Sequence, residues 1–110
     1  MQRPERFRGQ SGQVYGFRLA DADDSWVRRP GLALFATVEG YGWRIIRIAE
    51  LRGVEDDIQP IWAQRDAARY GADTVLVLEA ADPVERRSIR ADLEAGLSPL
   101  WSDTGYDLAA

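Results

Sequence analysis

The chain has 110 residues, of which 45% are hydrophobic and 29% are charged, and its formal net charge is −4. This length and composition predict one globular domain, and the negative charge argues against a strongly basic surface for nucleic acid. The chain contains no Cys and no His, which excludes disulfides, thiolate metal sites and imidazole chemistry.

The N-terminal part of the chain changes from irregular to alternating. The first twelve residues, MQRPERFRGQSG, are polar and show no periodicity, so 1–12 is predicted to be a flexible leader. Residues 13–20 alternate, which predicts a strand whose aromatic face, including Tyr15, is turned toward the core. The loop 21–30 contains three aspartates but lacks the remaining ligands and the glycine of a calcium-binding loop, so a solvated loop is predicted.

Residues 31–50, GLALFATVEGYGWRIIRIAE, predict a β-hairpin at the centre of the fold. Two runs rich in β-branched and aromatic residues are separated once, by a glycine-containing turn. The first run is almost continuously apolar, as expected of a central strand covered on both faces. The second run carries Arg44 and Arg47, and strict alternation predicts that these side chains lie on opposite faces of the strand.

The second half of the chain predicts two helices with a strand between them. Asp56 or Asp57 is predicted to cap a helix over about 57–70. Its buried stripe is predicted to be Ile58, Ile61, Trp62 and Ala68. TVLVLE at 74–79 predicts a strand, and DPVE at 82–85 predicts the start of a second helix over about 83–95.

The predicted fold class is therefore α+β. A small mixed or antiparallel sheet of three to four strands, with the hairpin 31–50 at its centre, is flanked by the two main helices. These elements form a single domain over 13–101.

With the elements in this order, residues 12–102 resemble the GIY-YIG nuclease domain, a small sheet with helices that carries two short motifs on neighbouring strands. Gln13-Val14-Tyr15 stands at the family's Gly-Ile-Tyr strand. Arg47-Ile48-Ala49 stands at its Tyr-Ile-Gly strand. The helix end before residue 75 and the spacing from the last helix to Pro99 also resemble the family.

The resemblance implies a domain that has lost its catalytic centre. Tyr15 is retained, but Arg47 replaces the second tyrosine, Arg90 replaces the carboxylate that holds the metal ion, and Ser102 replaces an asparagine. A guanidinium cannot bind a cation. The resemblance therefore predicts no catalytic residues, no metal, no cofactor and no metal-dependent cleavage of nucleic acid.

The sequence favours a binding or interaction module over an enzyme, with either a protein partner or weakly bound nucleic acid. Arg and aromatic residues anchor such interfaces, and the candidates for the binding face are Tyr15, Trp26, Arg28, Arg29, Arg47 and Arg65. All fourteen basic residues are Arg, although a GC-rich coding bias is the simpler explanation. Two alternatives stay open: an assembly subunit of a phage-like or multi-subunit particle, and an unrecognised carboxylate-dependent enzyme or residual nuclease.

The remaining predictions concern location and the C-terminal end. No run of eighteen apolar residues and no secretory signal occurs, so a cytoplasmic protein with no membrane partner is predicted. Residues 102–110, SDTGYDLAA, predict a flexible tail. Its Leu108-Ala109-Ala110 ending resembles the bacterial trans-translation tag, which implies a degradation signal, but alanine-rich ends also follow from coding bias.

Overall fold

In the computed structural model of this chain, residues 4–20, 25–54 and 56–100 are described. The strands are β1 (Glu5–Arg8), β2 (Val14–Leu19), β3 (Gly31–Glu39), β4 (Gly42–Leu51) and β5 (Thr74–Glu79). The helices are α1 (Gln59–Ala68) and α2 (Pro83–Leu97), and Ser25–Arg28 forms a short 3-10 helix. Among these residues, no helix combines the length and the apolar character needed to cross a membrane.

All five strands pair antiparallel in one sheet, in the order β1-β2-β5-β3-β4. The predicted α+β class and the pairing of β3 with β4 as a hairpin are confirmed. The prediction of three to four strands is one strand short, and the hairpin is not at the centre of the sheet, because β4 is an edge strand. The additional strand is β1, within the segment 1–12 that was predicted to be a flexible leader. Its single apolar residue, Phe7, is too little for a periodic signal, yet its ring packs edge-on against Phe17 with centroids 5.6 Å apart.

Two hydrophobic cores lie on opposite faces of the sheet. On the face covered by α2, which we call the α2 face, the core includes Phe7, Phe17, Leu34, Ile48, Leu76 and Leu93. On the other face, the α1 face, the core includes Trp26, Phe35, Ile46, Ala63, Ala67 and Val77. Strand β3 contributes alternate residues to both cores, which explains its continuous apolar run.

Helix α1 buries a different face from the one predicted. Its buried residues are Pro60, Ala63 and Ala67, whereas Ile58 and Trp62 are 60% and 52% exposed. Small side chains allow the helix axis to approach the sheet closely, so the larger residues are directed outward. The prediction that Ile58, Ile61, Trp62 and Ala68 form the buried stripe is therefore wrong for Ile58, Trp62 and Ala68, and Ile61 is only partly buried.

A β-bulge in β4 overturns the prediction that Arg44 and Arg47 lie on opposite faces. Phe35 pairs with Arg47 while the next residue, Ala36, pairs with Ile45. Ile46 is therefore the extra residue, and the alternation of side chains restarts after it. Arg44 and Arg47 consequently lie on the same face, the α1 face.

The helix boundaries differ modestly from the predictions. Helix α1 is two residues shorter than predicted at each end, since it starts at Gln59 and ends at Ala68. Its N-cap residue is Ile58 rather than the predicted Asp56 or Asp57, although Asp57 accepts a hydrogen bond from the Gln59 amide at 3.1 Å. Asp82 caps α2 by accepting from the Val84 amide at 3.0 Å. That helix continues two residues past the predicted end and stops at Ser98, which adopts the left-handed conformation with φ of 48°.

The sheet curls around α2, which packs on β1, β3 and β4. The curl brings the two edge strands close to each other at one point, where the Trp43 Nε1 of β4 donates to the Glu5 Oε2 of β1 at 3.4 Å. Helix α1, in contrast, packs on β3 and β4. No described element of the fold covers the β1–β2 half of the α1 face.

Candidate functional site

Tyr15, the retained tyrosine of the resemblance, has a structural role on the α2 face. Its hydroxyl donates to Asp92 Oδ2 at 2.8 Å, and the same carboxylate accepts from the Ser11 amide at 2.8 Å and the Ser11 hydroxyl at 2.7 Å. Burial and this bond to Asp92 raise the pKa of Tyr15, while the bonds from Ser11 lower the pKa of Asp92. The cluster fastens the β1–β2 turn to α2.

Arg90 belongs to an ion-pair network between β4 and α2. Its Nε donates to Glu94 at 2.9 Å, and its Nη1 lies 4.0 Å from Glu50. Glu50 also accepts from Arg86 Nε at 2.9 Å, and Arg86 further donates to the Ala80 carbonyl at 3.1 Å. Arg86 is only 5% exposed. The sequence analysis did not single out Arg86, although its spacing from Ile89 and Leu93 places all three residues on one buried stripe.

Arg47 does not share a surface with Tyr15 and Arg90. It lies on the α1 face, where its Nη1 is 3.8 Å from the Asp66 carboxylate of α1. Tyr15 and Arg47 are carried by β2 and β4, which are separated in the sheet by β5 and β3, whereas the resemblance implies neighbouring strands. Ser102 lies outside the described residues, as do the three aspartates of 21–24 and the tail 102–110.

The other binding candidates are scattered over the α1 side of the molecule. Trp26 is 3% exposed and packs against Phe35 with ring centroids 6.0 Å apart, so its ring belongs to the core. Arg28 is exposed, and Arg29 donates to Glu79 at 2.8 Å. This contact is the main reason that the pKa of Glu79 is lowered.

Arg65, the last candidate, lies within a line of exposed residues along α1. Ile58, Trp62, Arg65 and Arg69 follow one another at spacings of four, three and four, so they share one side of the helix. We call them the α1 ridge. The Arg65 guanidinium lies 5.4 Å from the centre of the Trp62 ring, which is within the range of a cation–π contact.

The ridge is positively charged as well as apolar. Within the described part of the chain, neither Arg65 nor Arg69 makes an ion pair. The nearest acidic residue along the helix, Asp66, is directed toward Arg47. The exposed Tyr70 follows at the end of the helix. The ridge therefore presents a Trp, an Ile and two guanidinium groups to solvent on a protein whose net charge is negative.

A cleft lies between the two edge strands, near the C-terminal end of α2. It has a volume of about 850 Å³, and its wall combines the apolar residues Phe7, Trp43, Ile45, Leu97 and Leu100 with the cations Arg6 and Arg44. The Leu100 amide donates to the Ile45 carbonyl at 3.1 Å, so the last described residue of the chain belongs to this wall.

Carboxylates are among the groups that could act as acids or bases in a chain without His or Cys. No three of them group as a metal site within residues 4–20, 25–54 and 56–100. The two carboxylates whose pKa values shift, Asp92 and Glu79, shift downward because they accept hydrogen bonds. A general acid working near neutral pH needs the opposite shift.

No protein-family model, curated protein or solved structure matches this chain. The resemblance to the GIY-YIG domain therefore stays a prediction from the motif residues. Function has to be argued from the surfaces described above.

Proposed function

We propose that this protein is an interaction module that binds another protein through the α1 ridge. The observation that carries the proposal is the outward position of Ile58 and Trp62, which are 60% and 52% exposed. They lie opposite the helix face that packs on the sheet. Exposed apolar side chains grouped with Arg are typical of the anchors of protein interfaces.

The chemistry of the ridge specifies the kind of partner. A complementary surface would offer an apolar pocket for Trp62 and carboxylates for Arg65 and Arg69. A second copy of this chain docking through the same ridge would bring guanidinium groups together, which is unfavourable. Nucleic acid fits less well, because the aliphatic Ile58 offers no stacking surface and the net charge is −4.

The proposal does not require an active site. The predicted loss of nuclease activity agrees with an interaction role, and the proposal holds whether or not the chain descends from a nuclease. The alternative of an assembly subunit predicts self-association. Light scattering of the purified protein distinguishes the two, since a stable homo-oligomer would contradict a ridge that serves a different protein.

Site-specific photocrosslinking in cells of the source organism tests the proposal. A photoreactive phenylalanine analogue at position 62 is expected to give one discrete adduct. The same analogue at position 41, a fully exposed tyrosine at the β3–β4 turn, serves as the matched control and should give none. Charge reversal by Arg65→Glu and Arg69→Glu should abolish the adduct.

Binding to the partner identified in that adduct can then be measured with purified proteins. Trp62→Ala is expected to weaken the complex by at least about tenfold, since an anchor residue contributes about 2 kcal/mol. Equal adducts from positions 41 and 62, or none from either, would refute the ridge as an interface.

A further inference from the structure

The half of the α1 face formed by β1 and β2 is a second candidate surface, separate from the α1 ridge, and no described helix covers it. Phe7 and Phe17 point into the α2-face core, so alternation directs Arg6, Arg8, Val14, Gly16 and Arg18 to the opposite face. In the register of the sheet, Arg6 lies opposite Gly16 and Arg8 lies opposite Val14. Helix α1 packs on β3 and β4, so it leaves this half of the sheet open.

The surface is a trough with an apolar floor and a cationic rim. Its volume is about 480 Å³, and Pro4, Val14 and Gly16 form the floor while Arg6 and Arg8 form the rim. Gly16 contributes no side chain opposite Arg6, which leaves the middle of the trough unfilled. Val14 is 43% exposed, whereas Phe17 on the other face of β2 is fully buried.

Within the described part of the chain, two of the three arginines on this face make no ion pair. Arg6 and Arg8 make no ion pair with any described residue. Arg18, one pair further along β2, lies 3.7 Å from Glu79, which is shared with Arg29. Three guanidinium groups therefore lie on one strand pair of a protein with a net charge of −4.

We propose that the β1–β2 face binds an acidic peptide segment in an extended conformation, with its carboxylates on alternate residues. Side chains at i and i+2 of a strand share one face and are about 6.6 to 6.8 Å apart along the chain. Arg6 and Arg8 have this spacing, and so do two carboxylates of an extended Glu-x-Glu segment. Each guanidinium can then bind one carboxylate through two parallel hydrogen bonds.

The same face is less suited to nucleic acid. It carries no aromatic ring on which a base could stack, and its three arginines span only two short strands. A polyphosphate chain would extend beyond them over a protein of like charge. A short acidic peptide needs only the length of the trough, whose apolar floor accommodates the residues between the carboxylates.

Two peptides of identical composition, each with four glutamates and four threonines, test the proposal by fluorescence anisotropy. In the alternating peptide every second residue is a glutamate, and in the block peptide all the glutamates precede the threonines. The alternating peptide is expected to bind the purified protein several-fold more tightly than the block peptide. The double variant Arg6→Gln, Arg8→Gln should weaken its binding at least tenfold. Arg87→Gln removes an exposed arginine of α2 that makes no ion pair with the described residues, and it should leave binding unchanged.

A second variant tests the trough without changing any charge. A Cβ at Gly16 would lie 3.4 Å from the Pro4 Cβ, which is an ordinary contact, so Gly16→Val should fold. Its side chain would fill the floor, and binding of the alternating peptide should be lost while the melting temperature is maintained. Ridge variants such as Trp62→Ala should not affect this peptide, so the two surfaces are tested separately.

Several outcomes would overturn the proposal. Equal binding of the two peptides would show attraction by charge alone. Undiminished binding by Gly16→Val or by the double arginine variant would place the peptide elsewhere. Tighter binding of an eight-residue oligothymidine than of the peptide would assign the face to nucleic acid, and no binding of any of these probes would reject the site.

Discussion

Arg86 is a buried cation that depends on its hydrogen-bond partners. A buried guanidinium must be satisfied by hydrogen bonds, and Glu50 at 2.9 Å together with the Ala80 carbonyl at 3.1 Å supplies them. Removing one partner of a buried ion pair leaves the charge of the other buried and unpaired, which strongly destabilises the protein. Replacing both partners by apolar residues destabilises it much less. The Arg86–Glu50 pair therefore fixes the position of α2 on the sheet more than it adds to net stability.

We expect Arg86→Ala to lower the free energy of unfolding by about 3 to 5 kcal/mol, measured by urea denaturation. The exposed neighbour Arg87 provides the control, since Arg87→Ala should change the free energy of unfolding by less than about 0.5 kcal/mol. Adding Glu50→Leu to Arg86→Met should be less damaging than Arg86→Ala alone. A cost below about 1 kcal/mol for Arg86→Ala would mean that Glu50 is solvated.

Asp92 makes stability depend on pH on the acid side. Its pKa is lowered in the folded state by the hydrogen bonds from Ser11 and Tyr15. A carboxylate with a lowered folded pKa stabilises the protein above its unfolded value of about 3.9, and this contribution is lost as the pH falls through the folded pKa. Asp92→Asn should thus lower the free energy of unfolding at pH 7. The difference from the parent protein should become progressively smaller below about pH 4.

Urea midpoints of both proteins between about pH 7 and pH 3 would measure this difference. Asp56→Asn changes an exposed carboxylate with no hydrogen bond in the described residues, so its midpoints should parallel those of the parent protein. A gap between the parent and Asp92→Asn that stays constant with pH would contradict the role assigned to Asp92.

At the scale of elements, α2 and the β1–β2 turn are held together by a close approach at Gly96. A Cβ at this position would lie 2.6 Å from the Gln10 nitrogen and 2.9 Å from the Arg8 carbonyl oxygen. Backbone atoms cannot move away as a flexible side chain can. This packing explains why a glycine is tolerated inside α2 despite its helix propensity, which is about 1 kcal/mol worse than that of alanine.

Gly96→Ala is therefore expected to lower the melting temperature, although the same change in an unpacked helix would raise it. Ser88→Ala, at an exposed position in the middle of α2, should leave the melting temperature unchanged or raise it slightly. Differential scanning calorimetry compares the two variants directly. A more stable Gly96→Ala protein would show that the turn is displaced easily.

The elements also show how far the sequence could predict the fold. The hairpin, β5 and α2 are recognisable because long apolar runs, a glycine turn and a Pro-containing cap are local signals. The buried face of α1 was predicted wrongly, because hydrophobicity favours Ile58 and Trp62 while close packing favours Ala63 and Ala67. The bulge at Ile46 has no local signal, since it depends on pairing with Phe35 in another strand.

The candidate surfaces were predictable only in part. Arg65 was recognised from its residue type, but the ridge around it required knowing that Trp62 is exposed. Arg6 and Arg8 were assigned to a leader, because a strand with one apolar residue is defined by its partner β2 rather than by its own sequence. Tyr15 and Arg47 were grouped by a motif, whereas the strand order separates them.

At the scale of the molecule, the two cores are coupled because β3 contributes residues to both. Leu34 faces α2 and Phe35 faces α1 in consecutive positions of that strand. Neither core can open without disrupting β3. Unfolding should therefore be a single cooperative transition.

A variant with Trp26 as its only tryptophan tests this expectation, since the ring lies in the α1-face core. Replacing Trp43, Trp62 and Trp101 by Phe gives that protein. The midpoint of urea unfolding followed by Trp26 fluorescence should coincide with the midpoint followed by far-UV circular dichroism. An earlier fluorescence transition would mean that α1 and its core unfold separately from α2.

The approach of the two edge strands has a consequence for how this protein behaves when crowded. Open strand edges are templates on which copies of a chain can polymerise into fibres. Here the Trp43–Glu5 contact connects β1 and β4, and the Ile45 carbonyl of β4 already accepts a hydrogen bond from the Leu100 amide. An incoming strand would have to displace the Leu100 amide before it could pair with β4 at Ile45, so these contacts hinder amyloid-like growth at this end of the sheet.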